Sequence, residues 1–237
     1  MDAQATPGHD PTAPAVDHDE KFADIGRMLV GVLHDFKFPL HVISTAAYLL
    51  SKSDKIEKKQ KYFQQIEDHV LMFNRMIQNI LDYSKGKSCI LPLYAHSDEF
   101  ISNLKTNLYC RFAEHSVKVT IRDDYQGKIF MDGAQVTRVL YNLIENAAQA
   151  MGYKGEIDVV LAKEDDLVRF KISDNGPGVS EAIKDKMFTA FATHGKKEGT
   201  GLGLALCKNI IEEHGGTISF ESREGGGTVF IVSLPVK

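Results

Sequence analysis

The sequence predicts an α+β protein: an N-terminal helical hairpin that dimerises into a four-helix bundle, followed by an α/β sandwich. Three observations carry that expectation. Apolar residues recur at steps of three and four from Ile25 to Leu50, and again from Ile56 to Ile80. Beyond "SKGKSCILPLY" the pattern changes to alternating strands with hairpin-like interruptions, in "SVKVTIRDD", "EIDVVLAKEDDLVRFKISDNG" and "GTISFESREGGGTVFIVSLP". Two helix candidates, 133–151 and 202–214, lie between those strands, so the sheet should be largely antiparallel with helices on one face.

Residues 1–18, "MDAQATPGHDPTAPAVDH", are rich in Ala, Pro, Thr and Asp and read as a flexible tail. The expected divisions are 1–20 for the tail, 21–86 for the hairpin and 95–237 for the sandwich. The first helical run is Ile25, Leu29, Val32, Phe36, Leu40, Ile43, Ala47 and Leu50, a coiled-coil seam with one extra residue near Pro39. "SKSDKIEKK" then supplies a polar turn, with Ser53 or Asp54 as N-cap and Glu57 to complete a capping box. The second run is Ile56, Phe63, Ile66, Val70, Phe73, Ile77 and Ile80. One pairing of two helices cannot bury both seams and the flanking Met28, Leu33, Met76 and Leu81. Doubling the hairpin can, and a homodimer is the expectation.

Composition narrows the function classes. The 237 residues carry a formal net charge of −4, which argues against a nucleic-acid or anionic-membrane binder. Cys89, Cys110 and Cys207 are widely spaced, without a CxxC pair, as expected for reduced thiols in a cytoplasmic protein. No apolar run approaches the roughly 18 residues of a membrane span, and the N-terminus lacks a signal peptide's pattern. Any sensing part is expected elsewhere or in a partner.

The hairpin holds the stretch "VLHDFKFPLHVI". His34 lies two residues from both Val32 and Phe36, about 200° around a helix from each, so it points away from the seam. His41 has no acidic neighbour and reads as structural. In the second half, "NLIENAAQA" sets Asn142 and Asn146 four apart on one helix face, where paired carboxamide oxygens suit a hard cation alongside phosphate. "SDNGPGV" ends a strand with Asp174, which can accept from an exocyclic amine, while Gly176 and Gly178 let backbone approach a flat ligand. "EGTGLGLAL" opens a helix with Gly199, Gly201 and Gly203, whose N–H groups can cradle phosphates.

In this order and spacing the three motifs resemble the ATP site of the Bergerat-fold (GHKL) ATPases, over residues 95–237. The resemblance extends to "MFTAFATHGKKEGTGLGL", similar to the family's phenylalanine box and mobile lid, and to "GGGTVFIVSLP". "HDFKFPL" resembles the phosphoacceptor box of the sensor histidine kinases, and from about Phe22 onward the chain resembles their transmitter region.

That resemblance implies ATP and Mg²⁺ as cofactors, His34 as the nucleophile, and Asp35 as the acid that fixes its tautomer and helps take its proton. It implies Asn146 as a Mg²⁺ ligand and Asn142 as a phosphate-side or Mg²⁺-linked contact. It gives Asp174 the adenine amine, Gly176 and Gly178 the base pocket, and Thr228 support on the adenine side. Gly199, Thr200, Gly201, Leu202 and Gly203 would line the phosphates. Lys196 and Lys197 would meet them from the lid, which Phe188 and Phe191 would pack. The implied partners are a second copy and a response-regulator receiver domain, with a separate sensory partner or sensor domain.

Three departures matter. Phe38 stands where many relatives carry Asn or Thr to orient a water, so phosphatase activity should be weak or absent. "AAQAM" follows Asn146 where many relatives have a basic and an aromatic residue. Glu145 precedes Asn146 and raises the possibility of competing ATP hydrolysis. The alternative reading is a nucleotide-gated dimeric docking protein of the same fold.

Overall fold

The computed structural model describes residues 33, 36–84, 90–113, 115–190, 192, 201–223 and 225–236. The chain divides into two compact units, Met1–His69 and Val70–Lys237.

In the first unit, helix α1 (36–52) runs unbroken through Pro39, turns at 53–55 and gives way to α2 (Ile56–Ser84). The N-cap position of α2 therefore falls at Lys55, past the expected Ser53 or Asp54. Phe38 and His69 are nearly equidistant from that turn, and their rings stand 6.0 Å apart, as an antiparallel hairpin requires. The inward face of α1 is Pro39, Val42, Ile43, Ala46 and Leu50. Within one copy Ala46 is 2% exposed, whereas Leu40 of the predicted seam is 47% exposed and Ala47 lies at the surface, as expected of residues left for a second copy to cover. One residue is 100° of helix rotation, so a hairpin partner covers Ala46 and leaves Leu40 on the next stripe. Phe63 and Val70, also assigned to the seam, are exposed as well.

The second unit contains the C-terminal part of α2, then β1 (Leu93–His96), α3 (Ser97–Phe112), β2 (Ser116–Asp123), β3 (Lys128–Met131), α4 (Gly133–Ala150), β4 (Lys154–Glu164) and β5 (Leu167–Asp174). There follow α5 (Glu181–Lys184), α6 (Gly203–Glu213), β6 (Thr217–Ser222) and β7 (Thr228–Pro235). Five strands form one sheet in the order β2-β4-β5-β7-β6, with β2 parallel to β4 and every other pair antiparallel. β1 and β3 make a separate two-stranded ladder.

The strands alternate as a one-sided sheet should. In β5, Val168, Phe170 and Ile172 are buried and the residues between them half-buried. Against that face lie the apolar stripe of α4 (Val136, Val139, Leu140, Leu143, Ile144) and Leu206, Ile210 and Ile211 of α6. The α+β sandwich is as expected. Sequence reading passed over α3 and the short strands β1 and β3. Among the described residues no helix is long and apolar enough to cross a membrane.

Two polar devices fix α4. Asp132 caps it by accepting from Ala134 N–H and Gln135 N–H, both at 3.1 Å. His214, at the end of α6, accepts from Asp132 N–H through Nε2 at 3.0 Å and donates from Nδ1 to the Ile210 carbonyl at 2.7 Å. One neutral imidazole thus ties the end of α6 to the start of α4.

Candidate functional site

Asp174 closes β5 and is 4% exposed. Its Oδ1 accepts from Gly176 N–H at 2.8 Å and from Thr228 N–H at 3.3 Å. The antiparallel pairing of β5 with β7 brings Thr228 there across 54 residues of chain. With two backbone donors on Oδ1, the second carboxylate oxygen is left to serve an outside donor. Gly178 adopts φ +81°, a conformation that favours glycine. A Cβ at Gly176 would stand 2.9 Å from Asp174 Oδ1 and 3.0 Å from Met151 Cγ, so only glycine fits this floor. Asn175 secures the turn from the other side, its Oδ1 accepting from Glu156 N–H at 2.9 Å.

The second cluster sits on α4 and α6. Asn142 and Asn146 are half-buried, one turn apart. Asn142 donates from Nδ2 to Cys207 Sγ at 3.7 Å, and a Cβ on Gly203 would meet that same amide at 4.0 Å. Gly201 takes φ +65°, and Leu202, fully buried, stands at the N-cap of α6 with its carbonyl accepting from Leu206 N–H. Burial pushes the Cys207 thiol up to about 12, so it stays neutral against Asn142. In the folded chain Cys207 should therefore resist thiol alkylation at pH 8 and react only on unfolding, which mass spectrometry after iodoacetamide treatment would read.

α4 links the clusters. It carries both asparagines and ends at Met151, which packs beside Gly176. From Asn142 to Met151 is about 13 Å along the helix axis, a span suited to an extended nucleotide. The structure thus gathers Asp174, Gly176, Gly178 and Thr228 at one end and Asn142, Gly201, Leu202 and Gly203 at the other. Asn146 lies between them on α4. His34, Asp35, Phe191, Lys196, Lys197, Gly199 and Thr200 lie outside the described residues.

Glu145 is not placed to activate water. Its Oε1 accepts from Tyr153 Oη at 2.6 Å, and its Oε2 from Arg111 Nε at 2.7 Å, with Arg75 at 4.0 Å. Burial alone would raise its pKa, but the Tyr153 hydroxyl and the Arg111 guanidinium outweigh that and lower it. A carboxylate with both oxygens committed and a lowered pKa is a poor base. Its role is to join α3 to α4. Because the folded value is depressed, its contribution to stability is present above the ordinary carboxylate pKa and is lost as pH falls through the folded one. Glu145→Gln should cost about 1–3 kcal/mol at pH 7, and the gap to the unsubstituted chain should shrink below pH 4 in urea unfolding.

Comparison with known proteins decides the family. Residues 24–89 match the His Kinase A (phospho-acceptor) domain, and residues 131–237 match the histidine kinase-, DNA gyrase B- and HSP90-like ATPases. The solved catalytic domain of histidine kinase ThkA is 32% identical over 62% of this chain and 96% of its own, with a TM-score of 0.56. The chain belongs to the histidine kinases. The sensor histidine kinase ZraS of Escherichia coli K12 is 33% identical over 92% of this histidine kinase and 47% of its own length. The sensor protein KdpD of Clostridium acetobutylicum is 31% identical over 88% of this chain and 24% of its own. This histidine kinase therefore spans less than half the length of either curated relative. The structure of ThkA in complex with the response regulator protein TrrA aligns over 93% of this chain and 64% of that one, at 27% identity and a TM-score of 0.73.

Sequence reading of this histidine kinase singled out neither Met151 nor Arg223, which donates from Nη1 to the Asp174 carbonyl at 3.2 Å. Met151 closes the stretch AAQAM and Arg223 lies in the β6–β7 turn, and neither residue type announces a contact with the Asp174 turn.

Proposed function

We propose that this chain is the transmitter of a two-component system: a homodimer that uses ATP to phosphorylate His34 and passes the phosphoryl group to an aspartate of a response-regulator receiver domain. The observation that carries the reading is Asp174, whose Oδ1 is taken by two backbone donors while its other oxygen is left for an exocyclic amine. An adenine ring is the expected guest, because glycine at 176 keeps a side chain off Asp174 and Met151 and glycine at 178 keeps one off the Gly227 backbone. Thr228 braces that side.

At the other end Gly201, Leu202 and Gly203 open α6, where backbone N–H groups can meet the phosphates, and Gly199 and Thr200, outside the described residues, are expected to join them. Lys196 and Lys197, outside the described residues, are expected to add positive charge to the phosphates. Phe188 anchors the lid's base, its ring 6.2 Å from Phe220. Asn146, assisted by Asn142, would hold Mg²⁺ through carboxamide oxygen, and the ion would neutralise phosphate charge. His34 attacks the γ-phosphorus in line. The N–P bond forms as the bridging P–O bond breaks, and ADP leaves with the electron pair. Asp35 hydrogen-bonds the other ring nitrogen, fixing the tautomer and holding its proton.

Dimerisation is supported by the apolar surface of the hairpin: Leu40, Tyr48, Ile56 and Phe63 are 47%, 62%, 68% and 54% exposed. A second copy would bury them in a four-helix bundle. The receiver partner is supported by the ThkA complex with TrrA. Stimulus detection belongs to a sensory partner or a sensor domain. An ATP-consuming site works where ATP is held, and a cytoplasmic location is the reading this supports.

Phe38 packs beside His69 and offers no group to orient water, so dephosphorylation of the regulator should be slow. Phe38→Asn should raise that rate about tenfold or more, measured as phosphate released from a phosphorylated receiver. The reading itself is tested by incubating the chain with γ-labelled ATP and Mg²⁺, then adding purified receiver domain. Acid-labile label on the chain that moves to the receiver supports it. ATP binding with no label on either protein favours a docking protein instead.

A further inference from the structure

The turn between β6 and β7 holds Asp174 at three points. Arg223 Nη1 donates to the Asp174 main-chain oxygen at 3.2 Å, and Thr228 N–H donates to Oδ1 at 3.3 Å. Gly227 approaches so closely that a Cβ there would stand 2.1 Å from that same main-chain oxygen. Arg223 also shapes the turn. Its N–H donates to the Gly227 carbonyl and its own carbonyl accepts from Gly226 N–H, both at 3.2 Å. A single residue therefore closes the hairpin and reaches across to the end of the neighbouring strand.

We infer, resting on the ATP-site reading above, that Arg223 is a positioning residue that sets the preference for adenine over hypoxanthine by holding Asp174 in place. The two bases differ where Asp174 meets them. Adenine presents an amine that donates to the carboxylate, whereas hypoxanthine presents a carbonyl oxygen that repels it. Discrimination of this kind depends on a fixed carboxylate, since one free to swing away loses the bond to the amine and relaxes the repulsion. The carboxylate is fixed at Oδ1 by Gly176 and Thr228 N–H groups, but its backbone is fixed from outside the pocket by the Arg223 guanidinium. The proposed phosphate contacts lie about Asn142 and the start of α6, away from Arg223, and are common to both nucleotides, so Arg223 acts on the ratio of affinities.

The test is calorimetric titration of the full chain with ADP and with IDP, in Mg²⁺, for the unsubstituted protein, Arg223→Ala and Arg223→Lys. Loss of one hydrogen bond at a charged donor should weaken ADP binding about tenfold in Arg223→Ala, with IDP changed less than about twofold. Arg223→Lys should recover most of the ADP loss, because an ammonium reaches the same carbonyl. A purely structural role in the turn would weaken both nucleotides alike, or leave Lys no better than Ala, and either result overturns the inference. So does an unchanged ADP affinity in Arg223→Ala. If the unsubstituted chain binds neither nucleotide, the ATP-site reading falls and this inference with it. Normal selectivity with an unaltered ratio in the variant overturns the inference alone.

Discussion

Asp174→Ala should weaken ADP binding by about 100-fold, beyond ready detection by calorimetry. The missing carboxylate would have made a charge-assisted bond to the amine, worth about 1.5–3 kcal/mol. Its removal also strands Gly176 N–H and Thr228 N–H, which both donate to Oδ1, and each donor left unsatisfied costs the folded chain, rather than the binding step, about 1–3 kcal/mol. Asp174→Asn separates these effects. An asparagine oxygen can still accept both backbone bonds, so the turn should stay folded, while its amide nitrogen faces the base. Adenine then meets donor against donor and hypoxanthine meets donor against acceptor, so the preference should shift toward IDP. Equal ADP affinity in all three proteins would place the base elsewhere.

Gly227→Ala should be the most destabilising single-methyl change in the second unit, by about 3 kcal/mol or more. Two causes add. Its φ of +95° is unfavourable for any residue with a Cβ, and the new carbon would sit 2.1 Å from the Asp174 carbonyl oxygen and 3.1 Å from the carbonyl carbon. The neighbouring Gly225 is the control. It has φ +84° but nothing within 4 Å of a built Cβ, so Gly225→Ala should cost only about 1 kcal/mol. Urea unfolding of the two variants reads the difference, and equal midpoints would show that the close approach of the two turns is not maintained in solution.

Much of this was legible in the sequence, for identifiable reasons. Helix α4 announced itself because its apolar residues recur at helical spacing, and the same spacing put Asn142 and Asn146 on one face. The strand β5 and its acid-glycine ending were readable because alternation and turn chemistry are local. What sequence could not show is what the fold brings together from afar. Thr228 N–H reaches Asp174 only through the β5–β7 register, and Arg223 reaches it only because the β6–β7 turn folds back over the strand end. Glu145 looked free to serve as a base because Arg111, 34 residues earlier, and Tyr153 were not visible as its partners. Leu40 and Ala47 of the α1 seam lie one residue off the face that packs within the hairpin, on the surface left for a second copy. An apolar pattern with two sticky faces does not say which face its own hairpin takes.

His34 is proposed to accept the γ-phosphoryl group of ATP held by the second unit. This transfer is tested most directly by incubating the unsubstituted chain and His34→Ala with γ-labelled ATP and Mg²⁺ and measuring acid-labile, alkali-stable label on each. Label should appear on the unsubstituted chain and not on His34→Ala, with ADP affinity equal in the two. Label that persists in His34→Ala, or that survives acid, would contradict it.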